Sequence, residues 1–181
     1  MTPGTGPVAR LDAAGDRILE PLRDSRPANA LFGLASRVGD FSVIWHVIGL
    51  VRAVGSVERL GQAVYLSVAL GVESLVVNQG VKRLFRRDRP TVSGDHRFDV
   101  RTPSTSSFPS GHASSATFAV FVLAGFAGWP LSWIFVAVAV LVALSRVVVR
   151  IHHLSDILGG AVVGAALGMV AASLAGRVLG L

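Results

Sequence analysis

The chain has 181 residues, 51% of them hydrophobic, no cysteine and a formal net charge of +6, with a mean hydropathy of +0.60. One domain is expected for this length; the apolar content lies above the soluble range, and the missing cysteines exclude a disulfide framework and thiolate zinc sites. The basic balance calls for an anionic partner, and beside so much apolar sequence lipid headgroups and phosphates fit it better than nucleic acid.

Residues 1–10 are small and contain Pro and Gly, and are expected to be disordered. Residues 11–22 mix Leu11, Ile18, Leu19 and Leu22 with charged side chains, the pattern of a short amphipathic helix on a membrane surface, which Pro27 breaks. Asp12, Asp16, Glu20 and Asp24 interrupt any continuous apolar run here, so a cleavable signal peptide is not expected. Residues 41–54 form a short apolar stretch carrying Arg52, which crosses a bilayer only if its helix begins nearer Leu31.

Four stronger spans follow. Residues 60–81 number 22 with Glu73 as the one formal charge before the end, and residues 110–129 number twenty. Residues 130–149 number another twenty with Arg146 near the end, and residues 157–175 give nineteen without charge. Each reaches across a hydrocarbon core of ~30 Å at ~1.5 Å per helical residue. Residues 86–107, rich in Asp, Arg, Ser, Thr and Pro, have no apolar period and are expected as an extramembrane loop. Gly160, Gly164 and Gly168 share one helical face and read as a packing seam. The expected fold is all-α: a polytopic transmembrane bundle of about five spans plus an N-terminal interfacial helix. Residues 1–27 form the tail and surface helix, and residues 28–181 the membrane-embedded domain.

Three clusters carry the chemistry. Lys82 is followed after six residues by Arg89-Pro90; Pro109, Ser110, Gly111 and His112 are consecutive; Ser145-Arg146 is followed after five residues by His152 and after three more by Asp156. In order and spacing this resembles the type-2 phosphatidic acid phosphatase superfamily, which also contains the vanadium haloperoxidases. The match runs from Lys82 to Asp156 without a departure from the motifs. Span parity agrees: Lys82 ends one span, His112 opens the next, and Arg146 and His152 follow the return crossing, so all three clusters reach one membrane face.

The resemblance implies a metal-independent hydrolase of phosphomonoesters or diphosphates on lipids, with no cofactor. In that reading His152 is the nucleophile, forming a phosphohistidine. Asp156, four residues on and on the same helical face, orients it. His112 protonates the leaving alkoxide and later activates water. Lys82, Arg89 and Arg146 neutralise the phosphoryl oxygens, joined by the Ser110 hydroxyl and the Gly111 N–H at a helix start. No acidic cluster with metal-ligand spacing is present.

Other polar groups have plainer readings. Arg83, Arg86 and Arg87 are expected as juxtamembrane anchors, His96 as a solvated loop residue, and His46 as an unpartnered histidine near headgroups. Spacing selects His152 over the adjacent His153. Glu73 inside a span is either functional or hydrogen-bonded to a neighbouring helix, and Asn78 and Gln79 either touch a headgroup or bridge helices. On the five-span count the motif face carries fourteen Lys and Arg, eleven without Lys82, Arg89 and Arg146, against three on the other face. That bias points the site toward the cytoplasm of a bacterial plasma membrane.

Candidate substrates are phosphatidic acid, phosphatidylglycerol phosphate, a polyprenyl diphosphate and a polyprenyl-phosphoryl sugar phosphate. Two alternatives stand beside hydrolysis: a lipid phosphotransferase using the same site, and a non-catalytic polyprenyl-phosphate-binding or transport protein. Membrane lipids are the surroundings; the oligomeric state has no signature in the chain.

Overall fold

Serine and proline set where the first helices begin. In the computed structural model, which describes residues 6–90, 98, 105–128 and 131–180, α1 spans Pro7–Arg23 and α2 Arg26–Gly39. Pro7 stands at a first helical position, where a missing N–H loses nothing. Residues 7–10, expected to be disordered, are therefore the first turn of α1; residues 1–5 lie outside the described residues. Pro27 does not break α1 either. The chain breaks one step earlier, at Asp24 and Ser25, and Ser25 caps α2 by accepting the Ala28 N–H at 3.5 Å.

α1 is tied to the bundle by one buried arginine. Arg23 donates from Nε to the Val148 carbonyl at 3.0 Å and from Nη2 to the Val147 carbonyl at 2.9 Å. These are carbonyls in the last turn of α6 (Ser132–Val148), at the negative end of that helix. Asp16 and Glu20 balance the guanidinium from within α1, at 2.8 and 2.5 Å.

Between α2 and α3 (Val43–Ala53) lies a short turn, Asp40–Ser42, in which Phe41 and Ser42 have φ of 52° and 60°. Left-handed backbone costs non-glycine residues about 1–2 kcal/mol each, so the two helices do not continue as one straight rod. This bend places Asp40 beside the site described below. α3 then runs antiparallel to α4 (Val57–Leu75), with Gly49 against Ala63 and Leu66. α4 continues through a π-helical turn, Val76–Gly80, and a 3₁₀ turn, Val81–Leu84.

α5 (Gly111–Ala127), α6 and α7 (Leu154–Leu179) complete the bundle. The Gly160, Gly164 and Gly168 seam lets α7 lie directly on α5. A Cβ at Gly164 would overlap the Ser114 backbone, and one at Gly168 would sit 3.0 Å from Phe118 Cα. Trp45, Leu66, Leu70, Ala119, Val122 and Val142 fill one apolar core. Outside it, Val64, Val68 and Val72 on α4, Ile134 and Val140 on α6, and Val162 and Val170 on α7 remain exposed, a perimeter suited to lipid rather than water.

The architecture is an all-helical integral-membrane bundle, with no strand among the described residues. Arg26–Ala53 and Val57–Leu84, each of 28 residues, and Leu154–Leu179, of 26, have the length and apolarity to cross a membrane, whereas α5 and α6 are 17 residues each. Of the expected polar loop, residues 91–97 and 99–104 lie outside the described residues, and His96, Arg97 and Arg101 with them.

Candidate active site

The end of α6 explains the spacing between Arg146 and His152. Ile151 N–H bonds the Arg146 carbonyl at 3.0 Å, Arg150 N–H bonds the Val147 carbonyl at 3.1 Å, and Arg150 is left-handed with φ 57°. This is a Schellman cap. It reverses the chain at once, and a further bond from His152 N–H to the Arg146 carbonyl, 3.0 Å, holds His152 over the turn that carries Arg146. α7 then starts at Leu154, with Asp156 accepting the His153 N–H at 2.9 Å. His153 itself is spent on this cap.

His152 is 2% exposed and Asp156 fully buried. Nδ1 of His152 lies 3.5 Å from Asp156 Oδ2 and 3.3 Å from Ser107 Oγ, while Ser107 donates to the same carboxylate oxygen at 2.5 Å. Nε2 faces Arg89 Nη1 at 3.1 Å. Since a guanidinium only donates, Nε2 carries the lone pair and Nδ1 the proton. Burial, reinforced by the Arg89 and Arg146 charges and opposed by Asp156, pushes the imidazole down from 6.5 to about 3. The ring stays neutral and its lone pair stays available. Burial likewise lowers Arg89, opposed by Asp156, but a guanidinium remains charged regardless. Arg89 is held by the Ile151, Thr105 and Ser106 carbonyls at 3.1–3.2 Å.

Arg87 is no headgroup anchor. Its Nη1 donates to Asp156 Oδ1 and Ser155 Oγ, each at 2.6 Å, and its Nη2 to Asp12 Oδ2 of α1 at 2.5 Å. Asp12 also accepts the Ser155 N–H at 2.9 Å. The catalytic-motif carboxylate is thus braced from behind by a salt bridge that reaches the N-terminal helix. Sequence reading misses it because the partners lie 69 and 75 residues apart. Arg87→Met leaves two carboxylates facing each other without a counterion. It is expected to lower stability by about 2–3 kcal/mol, below the full buried-pair penalty because the arginine is partly exposed. It should also reduce kcat, though by less than the ~10⁴-fold that follows loss of an orienting carboxylate itself. Thermal unfolding in detergent and steady-state kinetics check both effects.

A cavity of about 390 Å³ opens in front of His152 and is lined by Lys82, Gly111, His112 and Arg146. Lys82 comes up from α4 so that a Cβ on Gly111 would lie 3.6 Å from its Nζ. Arg146 is 1% exposed; its Nη1 donates to Ser36 Oγ, while Nε and Nη2 find no acceptor among the described residues. Buried donors of a fixed charge without acceptors are costly, and Arg146 contributes to the wall of this cavity. His112 lies across the cavity with Nε2 at 3.2 Å from both the Ser36 carbonyl and Asp40 Oδ1.

Three expected residues are not among those that line the cavity: Arg89, held on the carbonyls named above, Asp156 and Ser110. Asp156 sits behind His152. Ser110 is fully buried, its hydroxyl accepting the Ala113 N–H at 3.5 Å and its N–H bonding the Asp156 carbonyl at 3.0 Å. That serine spends its side chain capping α5 rather than facing the cavity. His46, expected to be unpartnered, bonds Ser67 Oγ at 2.9 Å and lines the cavity with Asn78. Glu73 lines it too and accepts from Ser114 of α5. Gln79 instead accepts from Arg83 on the exposed side, at 2.6 Å.

The family model of the PAP2 superfamily matches residues 62–178. Among curated proteins, the chain is 32% identical over 150 residues to the decaprenylphosphoryl-5-phosphoribose phosphatase of Mycobacterium tuberculosis (strain ATCC 25618 / H37Rv), covering 78% of this chain and 77% of that protein. It is 36% identical over 130 residues to the protein of the same name from Mycolicibacterium smegmatis, covering 69% and 67%. Among solved structures, a transmembrane PAP2 type phosphatidylglycerolphosphate phosphatase from Bacillus subtilis superposes with a TM-score of 0.66 at 24% identity, covering 93% of this chain and 88% of that one. Aquifex aeolicus LpxE gives 0.67 at 20% identity, covering 87% and 93%. The chain belongs to the PAP2 superfamily. It is an integral-membrane lipid phosphatase.

Proposed function

We propose that this phosphatase hydrolyses the phosphomonoester of a polyprenyl-phosphoryl sugar phosphate through a phosphohistidine on His152. The observation that carries the mechanism is the setting of that ring: buried, with Nδ1 toward Asp156 and Nε2 turned to Arg89. The names of the two mycobacterial relatives support the substrate class. Lys82, Arg89 and Arg146 receive the phosphoryl oxygens, Arg146 through its unpartnered donors, joined by the free N–H groups at the start of α5. Arg89 passes from the Nε2 lone pair to a phosphate oxygen as substrate enters.

Nε2 then attacks phosphorus. A P–N bond forms while the P–O bond to the lipid breaks, and the leaving oxygen takes the electron pair together with a proton from His112. In the second half water gives a proton to His112, its oxygen bonds phosphorus, and the P–N electron pair returns to Nε2. Charge is neutralised by fixed cations throughout, so no metal is required.

We further read the bundle as five crossings, the first made by α2 and α3 together and the others by α4 to α7, all beginning or ending at the site face. Residues 1–27 lie across that face and residues 28–181 form the embedded domain. The Lys and Arg bias supports a face toward the cytoplasm of a bacterial plasma membrane. The absence of native cysteine makes a clean test: in intact cells Ser56→Cys should react with an impermeant maleimide and Arg86→Cys should not, and the reverse labelling refutes the orientation.

The activity test is phosphate release by purified protein from a panel comprising polyprenyl-phosphoryl ribose 5-phosphate, polyprenyl diphosphate, phosphatidylglycerol phosphate and phosphatidic acid, with chelator present. Fastest turnover of the first supports the reading. Preference for another lipid overturns the substrate class, and a requirement for added magnesium overturns the mechanism.

A further inference from the structure

We propose that Asp40, from the bend between α2 and α3, is the positioning residue of His112, holding that ring in the orientation and charge state in which it protonates the leaving group. The inference rests on the reading of His112 as the acid and adds a residue that lies outside the family-matched segment 62–178.

Four observations converge on it. First, Asp40 Oδ1 and the Ser36 carbonyl lie on the same ring nitrogen, Nε2, at 3.2 Å each. Ser36 belongs to the last turn of α2, whose carbonyls form the negative end of that helix. The carboxylate and the helix C-terminus each stabilise the imidazolium, the form that has a proton to give, against the burial and the Arg146 charge that oppose it. With Nε2 engaged by α2, Nδ1 is left to address the leaving oxygen.

Second, the approach is built into the backbone. A Cβ on Gly39 would fall 2.6 Å from His112 Cδ2 and 2.9 Å from Val142 Cγ1, so only glycine lets the Cδ2–Nε2 edge of the ring rest on α2. Third, the carboxylate is delivered by two consecutive left-handed non-glycine residues, Phe41 and Ser42, a costly conformation that persists only where the surroundings hold it. Fourth, Asp40 lines the same cavity as Lys82, Arg146 and His152. A carboxylate beside an anion site repels substrate, and a role on His112 accounts for its presence there.

Arg146 is also within electrostatic reach of Asp40, so the alternative is that Asp40 serves the phosphate-binding cation instead. The two roles separate by leaving group. In the first half-reaction, followed as single-turnover release of the leaving group, loss of the acid slows expulsion of an alkoxide, which needs the proton, and spares 4-nitrophenolate, which does not; the second half, in which His112 activates water, is common to both substrates. Loss of phosphate positioning slows both alike.

The experiment uses the full chain in detergent micelles with phosphatidic acid and 4-nitrophenyl phosphate, comparing wild type with Asp40→Asn, Asp40→Ala, Gly39→Ala, His112→Asn and the Asp40→Ala/His112→Asn double variant. Asp40→Ala is expected to lower the single-turnover rate of diacylglycerol release from phosphatidic acid by about 100-fold, the low end of a general-acid contribution, with single-turnover release of 4-nitrophenolate essentially unchanged. Asp40→Asn, which keeps an acceptor but no charge, should fall between, Gly39→Ala should show the same selectivity by displacing the ring, and the double variant should be no slower than His112→Asn alone. Equal losses on both substrates, or additive losses in the double variant, overturn the proposal. If His112→Asn itself shows no leaving-group selectivity, it is the assignment of the acid that fails. The selectivity is a ratio of two activities of the same preparation, so partial misfolding of a variant does not move it.

Discussion

His152→Ala is expected to abolish phosphate release on every lipid phosphate while leaving the bundle folded. In the proposed mechanism the ring supplies the attacking nitrogen, and loss of a nucleophile in a comparable covalent mechanism removes on the order of 10⁶ from kcat. Structurally the substitution is milder. It deletes the ring's polar contacts to Arg89 and Ser107, while Asp156 keeps the Ser107 hydroxyl, the His153 N–H and Arg87. A net loss of about 1–3 kcal/mol follows from interrupting one buried set of hydrogen bonds, visible as a lowered Tm with one cooperative transition retained. Rapid alkaline quenching of wild type turning over ³²P-labelled lipid should trap radiolabel on protein that is stable to base and released by acid, and His152→Ala should trap none. Label found in the alanine variant would place the nucleophile elsewhere.

Arg146→Lys should be nearly as damaging in kinetics while preserving charge. The guanidinium anchors one amino group on Ser36 and presents Nε and Nη2 unpartnered at the cavity, a fixed planar pair matched to two phosphoryl oxygens. An ammonium on a flexible stem cannot both bond Ser36 and span those oxygens. Removing one preorganised donor of this kind lowers kcat by about 10²–10³, and because the charge that attracts substrate remains, the expected loss lies in kcat rather than KM. A variant with a raised KM and unaltered kcat would show that Arg146 binds the ground state and transition state equally.

How much of this could be read from the chain follows from the range of each interaction. The helices were legible because apolar run length and periodicity are local, and the expected spans agree with α4 to α7 within a few residues at most ends. Errors fell at the ends. Residues 7–10, expected to be disordered, start α1 at Pro7, and Pro27, expected as a breaker, sits in the first turn of α2; the run 41–54 conceals a bend at Phe41 and Ser42 that no composition signals. Around the site, Arg87 looked like Arg83 and Arg86, three basic residues in one short stretch. Only its fold back beneath α7 separates a partner of Asp156 from two exposed neighbours.

The amino-acid order alone determined the PAP2 family and the all-helical membrane architecture, because motif spacing and apolar run length are written along a single dimension. The tertiary structure decided what surrounds those motifs: Asp12 and Arg87 behind Asp156, Ser36 beneath Arg146, Asp40 and Gly39 against His112. These pairings join α1 and α2 to helices far along the chain. Their strength depends on burial and distance in space, quantities that packing creates and that sequence separation does not encode.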